Sequence, residues 1–143
     1  MTVSMPSLRV FRGDRSDRRR MIRYTAAAAS IVTALLYFGI GAGLVVVVTE
    51  TRADGPGMFE FGASAGAAFV IGALLLLTLD LRILWVLGAL LQVGVIVMYV
   101  AVGPQRTPPF ELWGLLIKAL QVVILGALLY LIVRPPTGVH ARR

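Results

Sequence analysis

Four long apolar runs separated by short polar breaks set the pattern of this chain. They cover about Tyr24 to Thr49, Gly62 to Leu79, Ile83 to Val102 and Phe110 to Val133. A helix crossing a hydrocarbon core of about 30 Å needs roughly 20 residues at 1.5 Å each. The pattern therefore predicts four membrane-spanning helices. Strands are excluded on two grounds: lipid offers backbone amides no partner outside a helix or a closed barrel, and the alternation of barrel strands is missing.

The breaks differ in strength. Ala53-Asp54-Gly55-Pro56-Gly57 is a loop signature. Gly103-Pro104 stops the third run, Pro108-Pro109 precedes the fourth where proline costs little, and Pro135-Pro136 ends it. Between the second and third runs only Asp80, Leu81 and Arg82 intervene. An unbroken helix from Gly62 to Val102 would be roughly 60 Å long, twice the bilayer. The chain must reverse there, with the two charges at the water level. A cleaved signal is not expected at the first run, because secretory apolar regions span only about 7–15 residues.

Composition agrees with lipid as the main solvent. Hydrophobic residues make up 58% and charged residues 15%, against about 45–50% and about 25% in soluble domains. Charge then sets orientation. Arg9, Arg12, Arg15, Arg18, Arg19, Arg20 and Arg23 precede the first span, Arg82 lies in the short turn, and Arg134, Arg142 and Arg143 follow the last. Only Arg52 and Arg106 lie in the other two loops. Basic residues favour the cytoplasmic side. The expected architecture is all-α and polytopic: four transmembrane helices as two consecutive antiparallel hairpins, with both termini cytoplasmic. Residues 1–23 and 134–143 are expected to be short, disordered basic tails around a domain over 24–133. Arg18, Arg19, Arg20 and Arg23 are expected to meet anionic lipid head groups; no aromatic interleaving points to nucleic acid. Thirteen arginines against one lysine fit GC-rich bacterial coding, hence a plasma (inner) membrane location.

Small residues mark candidate packing faces. Gly39 and Gly43 form a small-xxx-small step on the first helix, and Gly62, Ser64 and Gly66 a similar surface on the second. On the third helix Trp85, Gln92 and Tyr99 recur every seven residues beside Gly88. On the fourth, Glu111, Gly114, Lys118 and Gln121 fall within an arc of about 80°.

Counting depth from the outer ends brings these stripes together. A mid-bilayer cluster of Tyr37, Gln92, Lys118 and Gln121 is predicted, with Thr33 nearby. Lys118 is the informative member, since a lysine near the centre of a span costs about 2.5–3.5 kcal/mol on insertion scales. Three roles are open to it: hydrogen bonding that fixes helix register, pairing with an acid of another subunit, or binding an anionic or carbonyl-bearing ligand.

Enzymatic chemistry has little to work with. Cysteine is absent and His140 is the sole histidine, so thiolate and bis-histidine metal sites are excluded. No catalytic triad, paired mid-membrane carboxylates or phosphate loop is present. Neither a cofactor nor a metal is expected. The chain is expected to be a non-enzymatic accessory or assembly subunit acting through helix–helix contacts, with a membrane-protein partner or as a homo-oligomer. The alternative is a small transporter or lipid-flipping component built on the Lys118 cluster.

Overall fold

The computed structural model describes residues 10–44, 57–102 and 111–134, and these form four α-helices. They are α1 (Val10–Gly41), α2 (Met58–Thr78), α3 (Arg82–Val102) and α4 (Leu112–Val133). Each is long and apolar enough to cross a membrane, which makes this a multi-pass membrane protein.

The last three helices start and stop close to the apolar runs; the first does not. α1 begins at Val10, so most of the expected disordered basic tail is helical. Arginine is a good helix former, and lipid exposure is not a condition for a helical backbone. At its other end α1 stops at Gly41, short of the expected Thr49. Gly43 adopts φ 72°, its N–H bonds to Ile40 O at 3.0 Å, and the Leu44 N–H bonds to Gly39 O at 2.9 Å. This is a Schellman termination, and glycine enters the left-handed region at little cost. Gly43 is thus a helix stop, and a Cβ there would meet nothing within 4 Å. The expected packing role of Gly43 is corrected accordingly. Residues 45–49 of the expected first span lie outside the described residues.

α1 is the organising helix. It packs against α2 and α4, and α3 packs against α4. Although α2 and α3 are joined by only three residues, no comparable interface forms between them. Small side chains permit the central position of α1: Ala26, Ala27, Ala29, Ser30, Thr33 and Ala34 are all buried. The hydroxyls of Ser30 and Thr33 donate to the carbonyls of Ala26 and Ala29 in their own helix, so neither is left unpaired in an apolar interior. The outward faces of α2 and α3 carry large apolar side chains such as Leu74, Leu77, Leu87, Leu90 and Leu91, as lipid contact requires.

Among the described glycines, the closest backbone-to-backbone approach is between α1 and α2. A Cβ added to Gly62 would lie 2.5 Å from both Gly41 Cα and Tyr37 O. Farther along, the Phe38 ring covers Gly66, where an added Cβ would lie 2.6 Å from it. Tyr37 stacks on Phe69 with ring centroids 5.7 Å apart and meets Phe61 edge-on at 5.8 Å. Between α3 and α4, Gly88 receives Leu128 and Gly114 receives the Tyr99 hydroxyl.

Candidate functional site

Two polar clusters interrupt the apolar packing. One involves the stripes of α3 and α4; the other lies at the end of the bundle where α1 begins.

In the first cluster the Lys118 ammonium donates to Gln121 Oε1 at 2.6 Å. It also lies 5.0 Å from the centroid of the Tyr99 ring, within cation–π range. Gln121 is fully buried on the stripe of α4 that also carries Ile117, Ile124, Leu128 and Leu131. The Tyr37 hydroxyl lies beside its amide. Gln92 is 8% exposed on α3. The contacts Gly88–Leu128 and Tyr99–Gly114 bracket Gln92 and Gln121, which sets the two amides within about one helical turn of each other in depth.

The structure thus brings Lys118, Gln121 and Tyr37 together and buries Gln92 at their level. Thr33 is buried but bonded within α1. Two amide atoms, Gln92 Oε1 and Gln121 Nε2, are buried without a hydrogen-bond partner. Each such orphan costs about 1–3 kcal/mol in a protein interior.

Tyr99 is the member that depth counting omitted from the cluster. It lies near the far end of α3, where its ring packs on Gly114, about one helical turn before Lys118 on α4. α4 begins at Leu112 rather than about residue 110, so Lys118 sits about 9 Å along it. The seven-residue repeat from Gln92 to Tyr99 was the available signal. Tyr99 rests directly on Gly114, where an added Cβ would lie 2.5 Å from its hydroxyl. Gly114→Ala is therefore expected to displace the ring and release the Lys118 contact. The readout is tyrosine ultraviolet resonance Raman: the band sensitive to the cation should shift in Gly114→Ala and stay unchanged in Gly94→Ala, whose Cβ meets nothing.

The second cluster is built on Arg19, Arg23 and Asp80. Arg19 forks onto the Asp80 carboxylate, with Nη2–Oδ1 at 2.6 Å and Nε–Oδ2 at 3.4 Å. Arg19 Nη1 donates to Leu131 O at 3.3 Å and also to Arg134 O. Arg23 Nε donates to Leu76 O at 2.8 Å, and its Nη2 to Leu77 O at 3.1 Å and Leu79 O at 3.3 Å. Its Nη1 lies 3.9 Å from Asp80 Oδ2. The Trp85 indole N–H completes the shell by donating to Asp80 Oδ1 at 3.3 Å.

The chemistry here is helix capping by cations. The last carbonyls of a helix have no partner within it and carry partial negative charge. Arg23 satisfies Leu76 and Leu77 at the end of α2, and Arg19 satisfies Leu131 at the end of α4. This also explains a turn made without glycine or proline: Leu79 leaves α2 in an extended conformation, and Arg23 and Asp80 hold the reversal from outside. Asp80 therefore pairs with arginines of α1, while Arg82 beside it in the chain is exposed. Burial works to raise the Asp80 pKa, but the hydrogen bond and charge of Arg19, with help from Trp85 and Arg23, hold it below the usual 3.8. Arg19 and Arg23 are engaged inside the protein, which leaves Arg18 and Arg20 of the expected lipid-facing set exposed. Arg20 donates to the Tyr24 hydroxyl at 3.1 Å.

Among the described residues, no group of three or more His, Asp or Glu side chains could hold a metal ion. Comparison with known proteins finds no matching family model, curated relative or solved structure.

Proposed function

We propose that this chain is a non-enzymatic subunit of a bacterial plasma-membrane assembly, acting through helix–helix contacts. Its helices are read as two consecutive antiparallel hairpins, with both termini in the cytoplasm. One observation carries the reading. The costliest residue in the spans, Lys118, is held within the chain by Gln121 and the Tyr99 ring, so its charge serves α3–α4 packing. The faces left for action are apolar: α2 and α3 present their leucines outward without packing on each other. Such surfaces suit partner helices, where packing rather than charge supplies the association. The cytoplasmic placement of the termini rests on the arginine asymmetry.

Gentle detergent extraction followed by native mass analysis tests this reading. The chain is expected to leave the membrane with other polypeptides or with copies of itself, and Lys118→Leu is expected to keep those companions. A monomer under every mild extraction condition would count against it.

A second reading, a small transporter or lipid-flipping component, is favoured by the orphan amide atoms of Gln92 and Gln121, which have unused capacity for a small polar ligand. It predicts that Lys118→Leu inserts and stays folded yet loses a transport phenotype. That outcome would displace the subunit reading.

A further inference from the structure

We propose that the outer seam between α1 and α4 is a binding groove for one anionic phospholipid, with its acyl chain in the groove and its phosphate between Arg18 and Arg134. This goes beyond the partner-subunit reading and does not depend on it. The groove has a volume of about 320 Å³ and is lined by Ile22, Thr25, Gly126, Ala127 and Tyr130. It is open to the outside of the bundle, and its lining is almost wholly apolar. Gly126 forms part of its floor, and a Cβ built there would meet nothing within 4 Å.

Charge identifies the occupant. Arg18 is exposed one turn before Ile22 on the same face of α1. Arg134 follows α4 directly, with its guanidinium 5.3 Å from the ring centroid of the groove residue Tyr130. Both arginines lie at the ends of spans, which run Asp17–Gly41 and Leu112–Val133. That is head-group depth, where tyrosine is also favoured. The neighbouring Arg19 and Arg23 are turned inward onto Asp80 and helix carbonyls. The outward charge at this seam therefore comes from Arg18 and Arg134. Two guanidiniums above an apolar slot match a phosphate above an acyl chain, whereas a partner helix entering the same slot would bring a second apolar surface beneath two unmatched charges.

The experiment is native mass spectrometry of the full-length protein titrated with phosphatidylglycerol or phosphatidylcholine of matched acyl chains. Wild type is expected to hold one phosphatidylglycerol with roughly thirtyfold preference, the equivalent of about 1 kcal/mol for each guanidinium near the surface. Gly126→Leu fills the slot, and the double variant Arg18→Gln/Arg134→Gln removes the head-group contacts. Each should abolish the preference while circular dichroism shows unchanged helix content. Equal retention of the two lipids by wild type overturns the proposal. So does a phosphatidylglycerol preference that survives in either variant, which would place the lipid elsewhere on the basic end. The double variant leaves the groove's packing untouched, so the test stands even where Gly126→Leu fails to fold.

Discussion

Gly62→Ala is expected to cost more stability than any other single-methyl addition in the described helices. The new Cβ would lie 2.5 Å from Gly41 Cα and Tyr37 O and 2.6 Å from Gly41 N. All three are backbone atoms, so no rotamer change relieves the contact, and α1 must move away from α2. Overpacking of this kind costs about 1–3 kcal/mol and occasionally more, and the Tyr37–Phe69 stack would separate with it. A graded series makes the expectation sharp. Gly41→Ala meets backbone at 3.2 Å and should cost less, while Gly72→Ala meets nothing and should be neutral or gain up to about 1 kcal/mol of helix propensity. The measurement is reversible unfolding in mixed micelles. An order other than Gly62, Gly41, Gly72 would show that the close approach of α1 and α2 is wrong.

The second large effect belongs to Arg19. Arg19→Leu would strip the fork from Asp80 and the caps from Leu131 and Arg134 in one step, separating α1 from the α2–α3 turn and from the end of α4. Hydrogen bonds to charged groups contribute about 1.5–3 kcal/mol each. The Asp80 side chain is 31% exposed, so the low end of that range applies to the ion pair, and a total of about 2–4 kcal/mol is expected across the lost bonds. Arg19→Lys should recover only part of it, since an ammonium cannot match the fork.

The pH dependence follows from the same site. The folded Asp80 pKa lies below 3.8, so its stabilising contribution is fully present above the unfolded value. It is lost as pH falls from 3.8 toward the folded value. Asp80→Asn should flatten the stability profile in that acid window and leave its shape near neutrality unchanged. A profile identical to wild type below pH 3.8 would show that the carboxylate is not held by the arginines.

Much of this fold is written in local pattern. Lipid demands that every span satisfy its own backbone, so four apolar runs had to become four helices, and the proline and loop signals placed most of their ends. The heptad line through Trp85, Gln92 and Tyr99 marked the face of α3 that meets α4, and the level shared by Gln92 and Gln121 followed from counting residues. What pattern alone missed was long-range. The sequence places Asp80 only at a water-level turn, because position along the chain says nothing of Arg19, sixty-one residues away. Gly43 matched a packing motif, yet its φ made it a helix terminator. The glycine that α2 rests on is Gly41, two residues earlier.

The apolar runs thus determined that the described residues form four membrane-length helices, since that depends on transfer of single residues between water and lipid. Which helix lies at the centre was decided only in three dimensions. Every helix here is apolar enough to sit in lipid, so hydrophobicity cannot rank them. Close packing does: α1, with its alanines and Gly41, is approached by α2 at backbone distance and also packs on α4, and from there Arg19 and Arg23 reach carbonyls at the ends of two other helices.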